Sequence, residues 1–203
     1  MAERGDRTTV PARLAQASLR ALGGWSFVGP IPEPRKAVCL AVPHTDNMDG
    51  LLLVLLAQSV SMTISWMIKD TWGKPPVGWL VRGVGGVTID RSKPNGVVGQ
   101  MVEEFARRDE LMLVIPPEGT RSRTDYWKSG FYHIALGASV PVVPGFLDYR
   151  SKHGYFGEPI TLTGNVRADM DVLREVYAGA AALARHPEKM GPIRLREEEE
   201  SGG

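Results

Sequence analysis

The apolar residues of this chain follow two periods in turn, and this alternation restricts the fold more than any other feature of the sequence. Short apolar runs of strand length alternate with longer stretches in which apolar residues recur every three or four positions. Because no segment repeats and 203 residues suffice for one substantial core, the pattern predicts a single α/β domain.

The predicted elements follow from these two periods. The expected strands are 37–42, 61–68, 84–89, 111–115 and 140–144. The expected helices are 48–58, 94–108, 131–138 and 168–185, the last with Leu173, Val176, Tyr177 and Ala180 on its buried side.

The two ends of the chain differ from this central region, 31–190. Residues 1–30 contain a segment with Leu14 and Leu19 near Arg13 and Arg20, which is typical of an amphipathic helix at a membrane surface or of a first helix docked on the core. The acidic tail, residues 191–203, is expected to be solvated and disordered.

Targeting signals, charge and cysteine content restrict the cellular compartment and the class of partner. The N-terminus lacks the pattern of a signal peptide, and the longest apolar run, residues 51–57, is too short to cross a bilayer. We therefore expect a cytoplasmic protein without a membrane span. A net charge of +1 gives no reason to expect a nucleic-acid partner. The single cysteine, Cys39, lies in an apolar run and is expected to be buried and inert.

A polar cluster with one histidine follows the first predicted strand. His44 leaves the strand and Asp49 lies in the first turn of the next helix, so the carboxylate can support the imidazole as a general base. The same residues could cap the helix, through Asp46, Asn47 and Asp49, and by themselves favour that interpretation. A Mg²⁺ or Ca²⁺ site ranks below proton transfer, because no second carboxylate cluster is evident.

A second polar loop follows the strand 111–115. It contains Glu118, Gly119, Thr120 and Arg121, where glycine permits close backbone approach and arginine suits a phosphate. Arg91, between Asp90 and Ser92, ends another strand, and Lys69 ends a third. Loops at strand ends assemble ligand sites, so the sequence predicts an anion-binding cradle, with a charged surface turn as the alternative for each residue alone.

In combination and order, these residues resemble the glycerolipid acyltransferase family, which includes bacterial 1-acylglycerol-3-phosphate acyltransferases. Four blocks carry the resemblance: an H-x4-D block at 44–49, a glycine-hydrophobic-I-D-R block at 86–91, a P-E-G-T-R-S block at 117–122 and a V-P-V-V-P block at 140–144. They cover about half of the chain, and the P-E-G-T-R-S block is the most specific.

The resemblance implies a mostly parallel mixed central sheet flanked by helices, and an O-acyltransferase of phospholipid biosynthesis. A fatty acyl group would pass from acyl-CoA or acyl carrier protein to the hydroxyl of a lysophospholipid, by default 1-acylglycerol-3-phosphate, to give phosphatidate. His44 would be the base and Asp49 its support, without a cofactor, a metal or an acyl-enzyme. The acceptor would be held by Lys69, Arg91, Glu118, Gly119, Thr120 and Arg121. The protein would work peripherally on the inner face of the membrane.

Several features leave alternatives open. Asp46 stands where relatives often have small hydroxyl residues, and a carboxylate there should favour the imidazolium form of His44. The other histidines, His133, His153 and His186, have no evident partner. A non-catalytic lipid-binding or remodelling module and a thioester hydrolase, in which His44 activates water, remain the alternative functions.

Overall fold

A mixed sheet organises the computed structural model, which describes residues 9–69, 85–90, 92 and 96–200. Within these ranges seven strands pair in the order β1-β7-β6-β2-β5-β3-β4. The pairs β6·β2, β2·β5, β5·β3 and β3·β4 are parallel, as is β1·β7, and β6·β7 is antiparallel. The predicted single α/β domain with a mostly parallel mixed sheet is therefore confirmed.

The elements have the following bounds. The strands are β1 Ser26–Phe27, β2 Lys36–Val42, β3 Ser65–Lys69, β4 Gly86–Ile89, β5 Leu111–Ile115, β6 Val142–Asp148 and β7 His153–Phe156. The helices are α1 Val10–Ala21, α2 Asn47–Ser59, α3 Gly96–Arg107, α4 Gly130–Ala138, α5 Val166–Val176, α6 Ala180–Leu183 and α7 Glu197–Glu200, with a 3-10 turn at Pro187–Lys189.

Both faces of the central strands are buried, as expected for parallel strands with helices on each side. Along β2, Val38 and Leu40 face a core that includes Phe105 of α3 and Phe131 of α4. The intervening Cys39 faces the other side, where Ala37 and Ala57 of α2 belong to the same cluster. Helices therefore pack on both faces of the sheet, and the loops at the strand ends connect buried elements.

Most predicted elements are confirmed, and three are wrong in part. The strand predicted at 61–68 begins only at Ser65, after Ser61 with φ of 55°. The strand predicted at 140–144 begins at Val142 and extends to Asp148. The helix predicted at 168–185 ends at Val176 because the chain turns at Tyr177, and a second helix begins at Ala180. Val176, predicted on the buried side, is exposed.

The acidic tail also differs from its prediction, since Glu197–Glu200 forms a helix. Glu198 accepts hydrogen bonds from Arg174 at 2.8 Å and from the backbone N–H of Leu195 at 2.7 Å. The disorder expected for residues 191–203 is therefore wrong for this part of the tail.

Helix α1 combines one buried side with one exposed apolar side. Thr9 caps it, Leu19 is buried against α2, and the Gln16 side chain donates a hydrogen bond to the Ser59 carbonyl at 3.0 Å. Val10 and Leu14 are exposed. Helix α1 is thus docked on the domain, while its outer side carries both apolar and basic side chains. Among the described residues, no helix is both long and apolar enough to cross a bilayer.

Candidate active site

The predicted site residues that the structure describes lie at the carboxyl ends of the parallel strands. Strands β2, β5, β3 and β4 run parallel, so the loops that follow them leave on the same side. His44 follows β2, the P-E-G-T-R-S loop follows β5, and Asp90 follows β4. The topology therefore places the motif loops of the sequence side by side.

The aspartate of the histidine block has both of the roles that the sequence left open. Asp49 completes a capping box with Asp46 at the start of α2, and its Oδ2 accepts backbone N–H bonds from Thr45 at 2.6 Å and Asp46 at 2.8 Å. The same oxygen lies 3.7 Å from Nδ1 of His44. Asp49 is 2 % exposed, so the helix entrance fixes a buried carboxylate next to the imidazole.

The environment of His44 favours its neutral form. Burial lowers the pKa of the imidazole, the nearby Arg121 guanidinium lowers it further, and Asp49 opposes both. The balance lies below the ordinary histidine value. Since a general base must be unprotonated, this shift suits His44 to accept a proton at neutral pH.

Asp46 does not have the effect on His44 that the sequence suggested. Its Oδ1 caps α2 through the Met48 N–H at 2.8 Å, and its carboxylate pairs with Arg185 and His186, each at 3.3 Å. The expectation that Asp46 favours the imidazolium of His44 is wrong, because its charge is met by these partners. The expectation of no partner is wrong for His186 for the same reason, and for His133, whose Nε2 lies 3.8 Å from Glu197 Oε1.

Glu118 is the most unusual side chain of the site. It is 3 % exposed, and neither carboxylate oxygen has a hydrogen bond to the described residues. Burial raises its pKa to about 7, although the backbone N–H groups of Glu118 and His44 lie close enough to lower it. A buried carboxyl group without partners is available for hydrogen bonds to a ligand.

The backbone of the same loop has a shape that requires glycine. Gly119 has φ of 66°, and a Cβ there would lie 3.0 Å from the Lys128 side chain. The Gly119 N–H donates to the Pro116 carbonyl at 3.1 Å, and Thr120 Oγ1 accepts from the Ser122 N–H at 3.2 Å. These turns leave the side chain of Arg121 exposed. No carboxylate of the described residues lies within ion-pair distance of this guanidinium, so it can bind an anion.

Two predicted acceptor-binding residues are not fully described. Lys69 lies at the carboxyl end of β3, but its side chain lies outside the described residues, as does Arg91. The neighbouring Asp90 Oδ1 accepts from the Ser92 hydroxyl at 2.6 Å. The roles predicted for Lys69 and Arg91 therefore stay predictions.

A C-terminal segment holds the chain that follows the P-E-G-T-R-S loop, a contact that the sequence analysis does not predict. Arg123 donates to the Met190 carbonyl, Trp127 N–H donates to the Arg194 carbonyl at 2.9 Å, and Arg194 Nε donates to the Asp125 carbonyl at 2.9 Å. Backbone carbonyls accept these bonds, so side-chain patterns in the sequence do not reveal them.

A cavity of about 310 Å³ opens beside His44 and Asp49. Apolar side chains from α2 and the central strands line most of it: Ala41, Leu53, Val54, Trp66, Val114 and Leu147. This volume is in the range of small-molecule sites, and the lining suits an aliphatic chain. The structure therefore joins a titratable pair to an apolar pocket.

Tyr149 is a further site residue that the sequence analysis missed. It follows β6, and its hydroxyl donates a hydrogen bond to Asp49 Oδ1 at 2.5 Å across a separation of 100 residues. No local motif contains this tyrosine, and only the pairing of β6 with β2 brings it to the site.

Metal ligands are not grouped in the described part of the chain. No three histidine, cysteine or acidic side chains there are arranged to hold a metal ion. Cys39 is buried inside β2, where burial raises the pKa of its thiol to about 12, so this thiol is not an available nucleophile.

Comparison with known proteins agrees with the family that the sequence resembles. The sequence model of the acyltransferase family matches residues 27–147. The 1-acyl-sn-glycerol-3-phosphate acyltransferase of Cocos nucifera is 36% identical over 107 residues, which are 50% of this chain and 34% of the relative. The enzyme of the same name from Escherichia coli (strain K12) is 31% identical over 107 residues, 50% of this chain and 42% of the relative. The chain thus matches about a third to two-fifths of the length of these relatives.

A solved structure has a similar fold. The crystal structure of the 1-acyl-sn-glycerophosphate (LPA) acyltransferase PlsC from Thermotoga maritima superposes with a TM-score of 0.60. The alignment covers 83% of this chain and 76% of that chain at 20% sequence identity. The similarity extends beyond the motif blocks to most of the sheet and helices.

Proposed function

Since the chain belongs to the acyltransferase family, we propose that it transfers a fatty acyl group from a thioester to the hydroxyl of a lysophospholipid. The donor would be acyl-CoA or acyl carrier protein, and the acceptor 1-acylglycerol-3-phosphate, which gives phosphatidate. The observation that carries this proposal is the His44–Asp49 pair at the mouth of an apolar cavity. Such a site offers a base to the acceptor hydroxyl and an apolar surface to the acyl chain.

In the proposed reaction one proton is transferred twice, first from the acceptor hydroxyl to His44 and then from His44 to the leaving thiolate. Asp49 faces Nδ1 of His44, which favours the proton on Nδ1 and leaves Nε2 free to take the proton of the acceptor hydroxyl. The hydroxyl oxygen then bonds to the thioester carbonyl carbon. When the carbon–sulfur bond breaks, the imidazolium returns its proton to the leaving thiolate. No protein nucleophile takes part, in keeping with the buried position of Cys39.

The loop after β5 would hold the acceptor. The guanidinium of Arg121, which has no carboxylate partner among the described residues, suits a bidentate contact with the phosphate, assisted by Arg91 and Lys69. Glu118 would form hydrogen bonds with the glycerol hydroxyl, because its carboxyl group is buried beside His44 and its oxygens have no hydrogen bond to the part of the chain that the structure describes. The backbone turn at Gly119 and Thr120 would let the phosphate approach closely.

We place the protein at the inner face of the membrane as a peripheral enzyme of phospholipid biosynthesis. Val10 and Leu14 on the outer side of α1 are 72% and 65% exposed, with Arg13 and Arg20 on the same helix. Apolar side chains beside basic ones favour anionic bilayers. Leu14→Asp should reduce flotation with anionic phospholipid vesicles, while Val172→Asp on α5, another exposed apolar position, should not.

The reaction is tested by thiol release from a long-chain acyl-CoA with and without 1-acylglycerol-3-phosphate. Acceptor-dependent release that His44→Ala lowers by a factor of about 10²–10⁴, and that His133→Ala leaves unchanged, would support the proposal; His133 is an exposed histidine of α4. Release without acceptor, together with free fatty acid, would show a thioester hydrolase instead. Vesicle binding without turnover of acyl-CoA or acyl carrier protein donors would show a lipid-binding module.

A further inference from the structure

The hydroxyl of Tyr149 contacts the side chain of Asp49, the partner of His44, although the two residues are far apart in the sequence. It donates to Asp49 Oδ1 at 2.5 Å, while Asp49 Oδ2 accepts the backbone N–H bonds of Thr45 and Asp46. Three donors therefore fix both oxygens of one buried carboxylate. Charged acceptors make the stronger hydrogen bonds in proteins, so the tyrosine contributes substantially to the position of this group.

We propose that Tyr149 is a positioning residue of the acyl-transfer site, which acts through Asp49 on the orientation and proton affinity of His44. The inference rests on the proposed function, because it assigns to Asp49 the support of a catalytic base. Its structural basis is independent of the motif blocks, since Tyr149 lies outside all four of them.

The tyrosine is held so that its hydroxyl stays in place as a donor. Its backbone N–H donates to the Leu183 carbonyl at 2.9 Å, and its ring packs edge-on against Trp25 with centroids 4.9 Å apart. Burial and the adjacent Asp49 charge hold the pKa of Tyr149 well above its ordinary value. The hydroxyl thus keeps its proton at neutral pH.

Removal of this donor has a defined effect on His44. Oδ2 would keep its two backbone N–H donors, but Oδ1 would lose its side-chain donor, so the carboxylate would be free to tilt relative to the imidazole. The carboxylate would lose the hydroxyl dipole that offsets part of its charge, and its attraction for a proton on His44 would increase. The other charged or titratable groups around this pair, among the described residues, are Asp46, Glu118, Arg121, Arg185, His186 and Lys189.

The test compares Tyr149→Phe with Tyr132→Phe. Tyr132 donates to Asp169 Oδ2 at 2.7 Å, so the control also removes a buried tyrosine–carboxylate bond, but one between α4 and α5. Imidazole NMR titration of His44 should show a higher pKa in Tyr149→Phe and the wild-type value in Tyr132→Phe. For transfer, kcat should fall about tenfold in Tyr149→Phe, as expected for loss of a hydrogen bond to a charged group. The acidic limb of its pH profile should move to higher pH.

An unchanged His44 titration and pH profile in Tyr149→Phe would overturn the proposal, even if its stability fell as much as that of the control. Replacement of Tyr149 by 3-fluorotyrosine, a more acidic donor of nearly the same shape, should shift the His44 pKa downward, and an upward shift would equally contradict it. Both titrations need no substrate, so they stand apart from the test of transfer. If the wild-type protein transferred no acyl group, the proposed function would fail while the titrations still judged the link from Tyr149 to His44.

Discussion

Glu118→Gln keeps the size of a buried side chain of the site but removes its ionisation. In the folded protein burial raises the pKa of Glu118 from 4.5 to about 7, so the folded state binds a proton more tightly than the unfolded state. Stability therefore falls as the pH rises from about 4.5 to about 7, and the loss is complete above that range. Glutamine has no such transition.

The size of the effect follows from the shift. A difference between 4.5 and about 7 corresponds to about 3 kcal/mol of unfolding free energy, at 1.36 kcal/mol for each pKa unit. Glu118 is 3 % exposed, so solvent screens little of this penalty. We expect Glu118→Gln to be about 3 kcal/mol more stable relative to wild type at pH 8 than at pH 4.5, and less active, because glutamine cannot accept hydrogen bonds at both terminal atoms.

Urea unfolding of wild type, Glu118→Gln and Glu158→Gln across this pH range measures the effect. Glu158 is an exposed residue after β7, so its variant should follow the wild type. His44 contributes a pH dependence of opposite sign, because its pKa is lowered in the folded state, but this contribution is common to all three proteins. A stability difference between wild type and Glu118→Gln that did not change with pH would refute the reasoning.

Two further predictions concern the P-E-G-T-R-S loop. Arg121→Ala should lower kcat/KM for the phosphorylated acceptor by about 10- to 100-fold, as expected for loss of hydrogen bonds to a charged group, and should raise the pKa of His44. Equal kinetics with acceptors that have and lack the phosphate would contradict this, and imidazole NMR checks the pKa. Gly191→Ala should destabilise the protein by about 1–3 kcal/mol in urea unfolding, because its Cβ would lie 1.9 Å from the Thr124 carbonyl oxygen. Gly179→Ala, where nothing lies within 4 Å, should be tolerated, and equal effects of the two variants would argue against the clash.

The sequence predicts the centre of the fold well because local signals there agree with burial. The apolar run at Leu111–Ile115 forms a fully buried strand with the predicted bounds. Likewise, the run of Asp46 and Asn47 before an apolar stretch predicts the entrance of α2 to within one residue. In both cases the same residues decide the local conformation and the packing.

The errors occur where tertiary contacts decide the outcome. The periodic pattern at 168–185 continues through the break between α5 and α6, and buried Tyr177, at the turn, fits a continuous helix as well as an interrupted one. The tail has the composition of a disordered segment, but Glu198 meets Arg174 across the fold. Neither the break between α5 and α6 nor the pairing of Glu198 with Arg174 can be predicted from neighbouring residues in the sequence.

The candidate site likewise combines features that the local sequence predicts with features that only tertiary contacts determine. The pairing of His44 with Asp49 follows from short spacing and a helix entrance, both visible in the sequence. The partners of Asp46, the isolation of Glu118 and the bond from Tyr149 depend on how distant segments fold together. The sequence thus identifies the reactive groups, and the structure defines their protonation and support.

The most direct test of the central claim is the ratio of acylated product to thiol released from acyl-CoA in the presence of 1-acylglycerol-3-phosphate. With His44 as base for direct transfer, mass spectrometry should find one phosphatidate for each thiol, and His44→Ala should lower both rates together by a factor of about 10²–10⁴. Thiol release accompanied by free fatty acid instead of phosphatidate, or undiminished transfer by His44→Ala, would contradict the claim.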